Sequence, residues 1–313
     1  MKVLYMGTPD FAVAPLQALV KAGHTVVGVL TQPDKPKGRG MQMSISAVKA
    51  CALELGLPVY QPETLKDRAI LPLLEETQPD AIAVVAYGKF LPAYVRKFPR
   101  YGCINVHGSL LPKYRGAGPI QAAVINGDPV TGVTTMHMGR EIDTGDMILK
   151  AETPISQEDT AETVFDRLAV MGAELLVETL RQLEQGTAPR IPQDHSQATY
   201  APMLTRDDAR IDWSLSAQTI YDRVRGMYPW PGAFTEAGAA VMKLFAFSKT
   251  ETVTDAAPGT VVSTGDAGME IACGDGKTLM IARLQPPGKK AMAVRDYLRG
   301  NKLPERLGVK IDG

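Results

Sequence analysis

The chain has 313 residues, enough for two domains with separate cores. Hydrophobic residues make up 45% and charged residues 22%, without a low-complexity tract, which excludes a disordered or fibrous chain. The 34 basic and 34 acidic side chains cancel, and neither side of Thr205 departs from neutrality by more than two charges, so any RNA contact must come from local basic clusters rather than a global field. Lys2 is followed by only four apolar residues before Gly7, too few for the core of a signal peptide. No run approaches the ~18 apolar residues that span a bilayer. Cys51, Cys103 and Cys273 form no CxxC pair and no metal spacing, so a reduced cytoplasmic setting, with no membrane and no metal, is expected.

Lys2 to Met6 reads as a buried strand, Phe11 to Ala22 as a helix closed by Gly23, and Thr25 to Leu30 as a second strand. Ser44 to Leu55 is helical, Pro58 to Tyr60 a short strand, Leu65 to Thr77 helical, Ala81 to Ala86 a strand and Cys103 to Val106 another. Val133 to Met138 reads as an alternating strand, and Thr160 to Gln185 is a long helix. Strands alternating with helices predict an α/β fold, a doubly wound Rossmann-like parallel sheet over residues 1–186, with ligands at the carboxyl ends of its strands. A polar, Pro-bearing stretch at 187–205 reads as a linker. Beyond it, short apolar segments spaced by Gly, Asp and Pro predict a smaller OB-like β-barrel over 206–313.

The most informative segment is Ile104-Asn105-Val106-His107-Gly108-Ser109-Leu110-Leu111-Pro112. Side chains alternate along a strand, so Asn105 and His107 share one face. At a strand's carboxyl end that face looks into the ligand crevice, although the two also read as a satisfied structural pair. Gly139 to Asp146 is a glycine-flanked acidic loop that alone reads as a polar turn; beside His107 it supplies Asp143, a carboxylate able to orient the imidazole.

These segments, joined through Tyr114-Arg115-Gly116, resemble the formyl-tetrahydrofolate transferase family. The resemblance implies Asn105, His107 and Asp143 as the catalytic set and 10-formyltetrahydrofolate as formyl donor. It implies Ser109, Leu110, Leu111 and Pro112 as the folate-binding turn. Tyr87, Gly88 and Leu91 resemble the family's folate wall, with plain core packing as the other reading. The chain departs from the family's pattern at Gly139 and Glu141, where members carry Asp and Gly. Gly7-Thr8-Pro9-Asp10-Phe11, Tyr200-Ala201-Pro202 and Pro229-Trp230-Pro231-Gly232-Ala233 are similar to the branch whose acceptor is initiator methionyl-tRNA. That branch carries a basic loop against the acceptor end, which implies tRNA contacts by Lys35, Lys37 and Arg39. Arg295, Arg299 and Lys302 recur at helical spacing and suggest a second basic stripe. No obligate protein partner is evident. A formyltransferase for a nucleotide-linked amino sugar and a formyl-tetrahydrofolate hydrolase are the rival enzymes. A nicotinamide reductase lacks its G-x-G-x-x-G, and Gly274 to Thr278 lacks the first glycine of a P-loop.

Overall fold

The computed structural model describes residues 1–37 and 42–308. The chain divides into two compact units that interleave in sequence. The first holds Met1–Pro119, Val130–Pro154 and Thr163–Pro202; the second holds Ile120–Pro129, Ile155–Glu162 and Met203–Gly313.

In chain order the first half carries β1 (Lys2–Gly7), α1 (Val13–Lys21), β2 (Thr25–Leu30), a hairpin of β3 (Lys35–Lys37) and β4 (Gln42–Ser44), α2 (Ala47–Glu54) and β5 (Val59–Tyr60). Then follow α3 (Leu71–Thr77), β6 (Ala81–Val85), α4 (Ala93–Arg96), β7 (Cys103–His107), α5 (Pro119–Ile125), β8 (Val130–His137), β9 (Met147–Pro154) and α6 (Ala161–Gln185). The sheet order is β5-β2-β1-β6-β7-β8-β9. From β5 to β7 all neighbours are parallel, while β8 and β9 add an antiparallel edge. After Lys2 every residue of β1 is buried, as is all of β6, the continuous apolar pattern of strands covered on both faces.

Two helices differ from the sequence expectation. Leu65 to Thr77 is helical only from Leu71, because Asp67 and Arg68 take left-handed φ values of 52° and 58°. The helix expected from Ser44 begins at Ala47, where Ser46 caps it by accepting from the Lys49 N–H at 3.0 Å. α6 buries Val164, Leu168, Ala169, Ala173, Leu176 and Leu180, one stripe of period 3.6. It comes close to the sheet at Gly172, where a Cβ would lie 2.9 Å from Val106 Cγ1. Val106 thus faces α6 on the apolar side of β7, which leaves Asn105 and His107 on the opposite side.

Within the 187–205 stretch, the residues up to Pro202 belong to the first unit. Ile191 and Met147 exchange backbone hydrogen bonds of 2.8 and 2.9 Å, and Ala201 N–H donates to Arg115 O at 2.7 Å. Polar composition marks exposure here, not slack.

The second unit carries α7 (Ala217–Gly226), β10 (Phe234–Ala237), β11 (Ala240–Val253), β12 (Val261–Gly265), β13 (Gly268–Ala272), β14 (Lys277–Gln285), β15 (Met292–Ala293) and α8 (Val294–Leu298). Its antiparallel sheet runs β10-β11-β14-β13-β12, with β15 on β14. The basic stripe expected at Arg295, Arg299 and Lys302 does not form, because α8 ends at Leu298 and Arg299 is its cap. The core gathers Trp213, Leu244, Met269, Ile271, Leu279 and Ile281. Trp213 is 4% exposed and donates from Nε1 to Thr235 Oγ1 at 3.0 Å. Trp213→Ala should therefore lower stability by about 3–5 kcal/mol, read from chemical denaturation.

Candidate active site

Asn105 and His107 stand at the carboxyl end of β7, paired on one side with Val84 of β6 and on the other with Met136 and Thr134 of β8. His107 is 6% exposed. Its Nε2 lies 2.8 Å from Tyr114 O, a carbonyl that can only accept, so the proton is on Nε2. Its Nδ1 faces Asp143 Oδ2 at 3.6 Å. That gap is too long for a direct hydrogen bond and leaves Nδ1 as the ring atom open to the site. Asp143 sits in left-handed backbone at φ 52°, and its Oδ2 accepts from Gly116 N–H at 2.9 Å. The three residues implied as a catalytic set are thus brought to one place, from β7 and the 139–146 loop.

The turn after β7 is tied down by Ser109 and by two polar groups that pattern reasoning did not single out, Thr134 and Lys150. Thr134 Oγ1 donates to Ser109 O at 2.7 Å and accepts from Leu111 N–H at 3.2 Å. Ser109 Oγ donates to Lys113 O at 2.6 Å, and Lys150 Nζ donates to Leu111 O. Leu111 packs with Met136 and Met147, while Leu110 and Pro112 are half-buried. Beside it, β6 ends in a turn where Ala86 and Gly88 are exposed and left-handed, at φ 46° and 81°. The side chains of Tyr87 and Leu91 are buried in the core with Leu4, Met6, Leu30 and Leu74. Burial pushes the Tyr87 phenol up to about 12 and keeps it neutral. Tyr87 O is used structurally, accepting from Thr8 Oγ1 at 3.1 Å and Gln32 Nε2 at 3.0 Å. The exposed residues at this wall are therefore Ala86 and Gly88.

Sequence reading also passed over Gln193, whose Nε2 donates to Asp143 O and Gly145 O, each at 2.8 Å. Its only local signal was an amide in a polar stretch. His137, at the end of β8, is held below the usual imidazole range by burial and then by Arg190, against the opposing pull of Asp146. Arg190 pairs with Asp146 at 2.6 Å, an exposed pair of small energetic weight.

The basic hairpin places Lys35 and Lys37 on β3, with Lys35 exposed; Arg39 lies outside the described residues. At its base Lys49 Nζ donates to Asp34 Oδ2 at 2.6 Å and Gln61 Oε1 at 2.7 Å, and Gln61 Nε2 donates to Asp34 Oδ1 at 2.7 Å. These bonds hold the Asp34 carboxyl below its usual range, the Lys49 bond contributing most. Among the described residues no cluster of three or more His, Cys, Asp or Glu side chains is placed to hold a metal, and no helix is long and apolar enough to cross a membrane.

This β-strand end, with an imidazole between a carbonyl and a carboxylate, lies within a chain that belongs to the formyl transferase family. The family's model matches residues 1–180 and the model of its C-terminal domain matches 203–302. Within the family, the chain is 52% identical over 311 residues to the methionyl-tRNA formyltransferase of Acidobacterium capsulatum, covering 98% of this chain and all of that one. It is 48% identical over 301 residues to the methionyl-tRNA formyltransferase of Alkaliphilus oremlandii, covering 96% and 97%. In fold it is similar to an N-formyltransferase from Helicobacter canadensis, solved with folinic acid and dTDP-3-aminofucose, at a TM-score of 0.68 and 18% identity over 91% of this chain and 99% of that one. It is also similar to HypX from Aquifex aeolicus, solved with tetrahydrofolic acid, at a TM-score of 0.64 and 18% identity over 100% of this chain and 48% of that one.

Proposed function

We infer that the chain transfers the formyl group of 10-formyltetrahydrofolate to the α-amino group of methionine on initiator methionyl-tRNA, the step that prepares this tRNA for translation initiation. It works in the cytoplasm, where donor and acceptor meet. Near-full-length relatives at about half identity carry this activity in their names, which favours it over the amino-sugar and hydrolase readings. The observation that carries the chemistry is the fixed orientation of His107: Nε2 is committed to Tyr114 O, and Nδ1 points across 3.6 Å to Asp143.

The donor supplies a formyl carbon that the methionine amine attacks, giving a tetrahedral centre with a negative oxygen. Asn105 Nδ2–H and, in its doubly protonated form, His107 Nδ1–H are the donors for that oxygen. One such preorganised donor is worth about 3–4 kcal/mol. Asp143, its Oδ2 held by Gly116 N–H, receives the proton that the attacking nitrogen loses, through a water where the reach requires one. Collapse breaks the bond to the carrier nitrogen, which takes up a proton as it leaves. The residues present suit a flat folate ring: half-buried Leu110 and Pro112 offer an apolar wall, while the Leu111 side chain is committed to the core, and the backbone of Ala86 and Gly88 offers polar partners.

Lys35, Lys37 and Arg39 meet the tRNA, where phosphate contacts set affinity rather than sequence choice. Raising salt from about 50 to 200 mM should weaken tRNA binding by roughly 20–40-fold through these three contacts, with a shallower salt slope in Arg39→Ala. Binding indifferent to salt would remove the hairpin from the interface. The activity itself is tested by transfer of labelled formyl to methionyl initiator tRNA, with uncharged tRNA as control. Label on methionine is expected; free formate without labelled tRNA would favour the hydrolase.

A further inference from the structure

Gln193 is 6% exposed and uses all four hydrogen bonds its amide can readily make. Oε1 accepts from Arg115 Nε at 3.1 Å and from Arg115 Nη2 at 2.7 Å. Nε2 donates to the carbonyls of Asp143 and Gly145, each at 2.8 Å. A guanidinium has donors only, so Arg115 decides which end of the amide faces it, and the NH2 group is left to face the loop. Arg115 is itself 2% exposed, and Nη2 also meets His195 Nδ1 at 3.1 Å. Its backbone is fixed on the 199–201 segment through Thr199 O at 2.8 Å and Ala201 N–H at 2.7 Å.

Asp143 needs such support. A non-glycine residue at φ 52° is in a disfavoured conformation that persists only where its surroundings hold it. Gln193 holds its carbonyl, and Gly116, the residue after Arg115, holds its carboxylate at 2.9 Å. Both grips therefore originate at Arg115-Gly116. The segment that carries Gln193 lies 50 residues beyond Asp143, so the loop cannot supply this restraint from its own sequence.

We propose that Gln193 is a positioning residue for formyl transfer: it fixes the Asp143 backbone so that the carboxylate faces His107 Nδ1. The proposal rests on the roles given above to His107 and Asp143. Two variants test it. Gln193→Met keeps the volume and removes the donors. Gln193→Glu keeps the partnership with Arg115 but turns one oxygen toward the two carbonyls. Each should lower kcat by about a hundredfold, the scale of a 1 Å misplacement, with KM for donor and tRNA changed less than about threefold. Under single-turnover conditions, either change made in an Asp143→Asn background should lower the rate by at most about twofold more, since residues acting as a unit are not additive. Should the methionine variant fail to fold, the glutamate variant decides. Unchanged kcat, a loss carried by KM, or full multiplication of the two losses would overturn the proposal. The wild type in the same assay separates the readings: no transfer by wild type defeats the proposed function, whereas normal wild-type transfer with indifferent Gln193 variants defeats only this inference.

Discussion

His107→Ala is expected to lower turnover by about 10²–10⁴-fold while the protein stays folded and binds tRNA with near wild-type affinity. The magnitude follows from two roles held by one ring. In the proposed mechanism it donates to the developing oxyanion, and it is the partner against which the Asp143 carboxylate is set. The side chain is buried and its Nε2 bond to Tyr114 O would be lost, so some loss of stability accompanies the change. A thermal transition measured beside kcat keeps the two effects apart. Asn105→Ala removes one donor without disturbing the ring and should cost about 10²–10³-fold. Turnover of the His107 variant near wild type would end the assignment of the site.

Gly145→Ala should be nearly as damaging, though it removes no functional group. A Cβ built there would lie 1.7 Å from His137 O and 3.1 Å from Gly139 N, contacts that no side-chain rotation relieves. The loop must move as backbone, and Asp143 lies two residues away with its carbonyl gripped beside that of Gly145. Turnover should fall about a hundredfold, with about 1–3 kcal/mol of stability lost to overpacking. Gly139→Ala is the internal control, since its Cβ would approach nothing nearer than Thr144 Oγ1 at 3.4 Å. Equal activity of the two alanine variants would show that the loop is not under this constraint.

What could be read beforehand follows the range of the interactions. β7 was legible because Asn105, Val106 and His107 declare their faces by strict alternation, and the Gly172 contact of α6 puts the apolar face where alternation requires. The parallel sheet was legible from unbroken apolar runs. The start of α3 was not, since residues 65–70 show helical spacing while the backbone of Asp67 and Arg68 refuses it. The Arg295 stripe failed for a similar reason: three residues can keep helical spacing across a helix end, and here Gly300 and Pro304 stand beyond α8. The contacts of Gln193 were beyond reach because its partners Asp143 and Arg115 lie 50 and 78 positions away, and composition alone made its segment look like slack chain. Tyr87 and Leu91 show the converse limit. An apolar run beside a site looks the same in sequence whether it faces ligand or core.

The interleaving of the two units bears on how the molecule can be taken apart. Arg225 of α7 is 6% exposed, pairs with Asp222 at 2.7 Å, and donates from Nη1 to Ser156 O and Asp159 O at 2.8 Å each. Those carbonyls come from Ile155–Glu162, a stretch some forty residues upstream of where any conventional C-terminal fragment would begin. A piece started near Met203 would inherit a guanidinium with two acceptors missing from its interior, and would lack Ile125, which lies against Gly226. On a ribosome the same arrangement means that early-made chain must wait, unfinished, for a module synthesised last. Modularity in this protein is a property of its surface, and a gene cut at the apparent boundary would not inherit it.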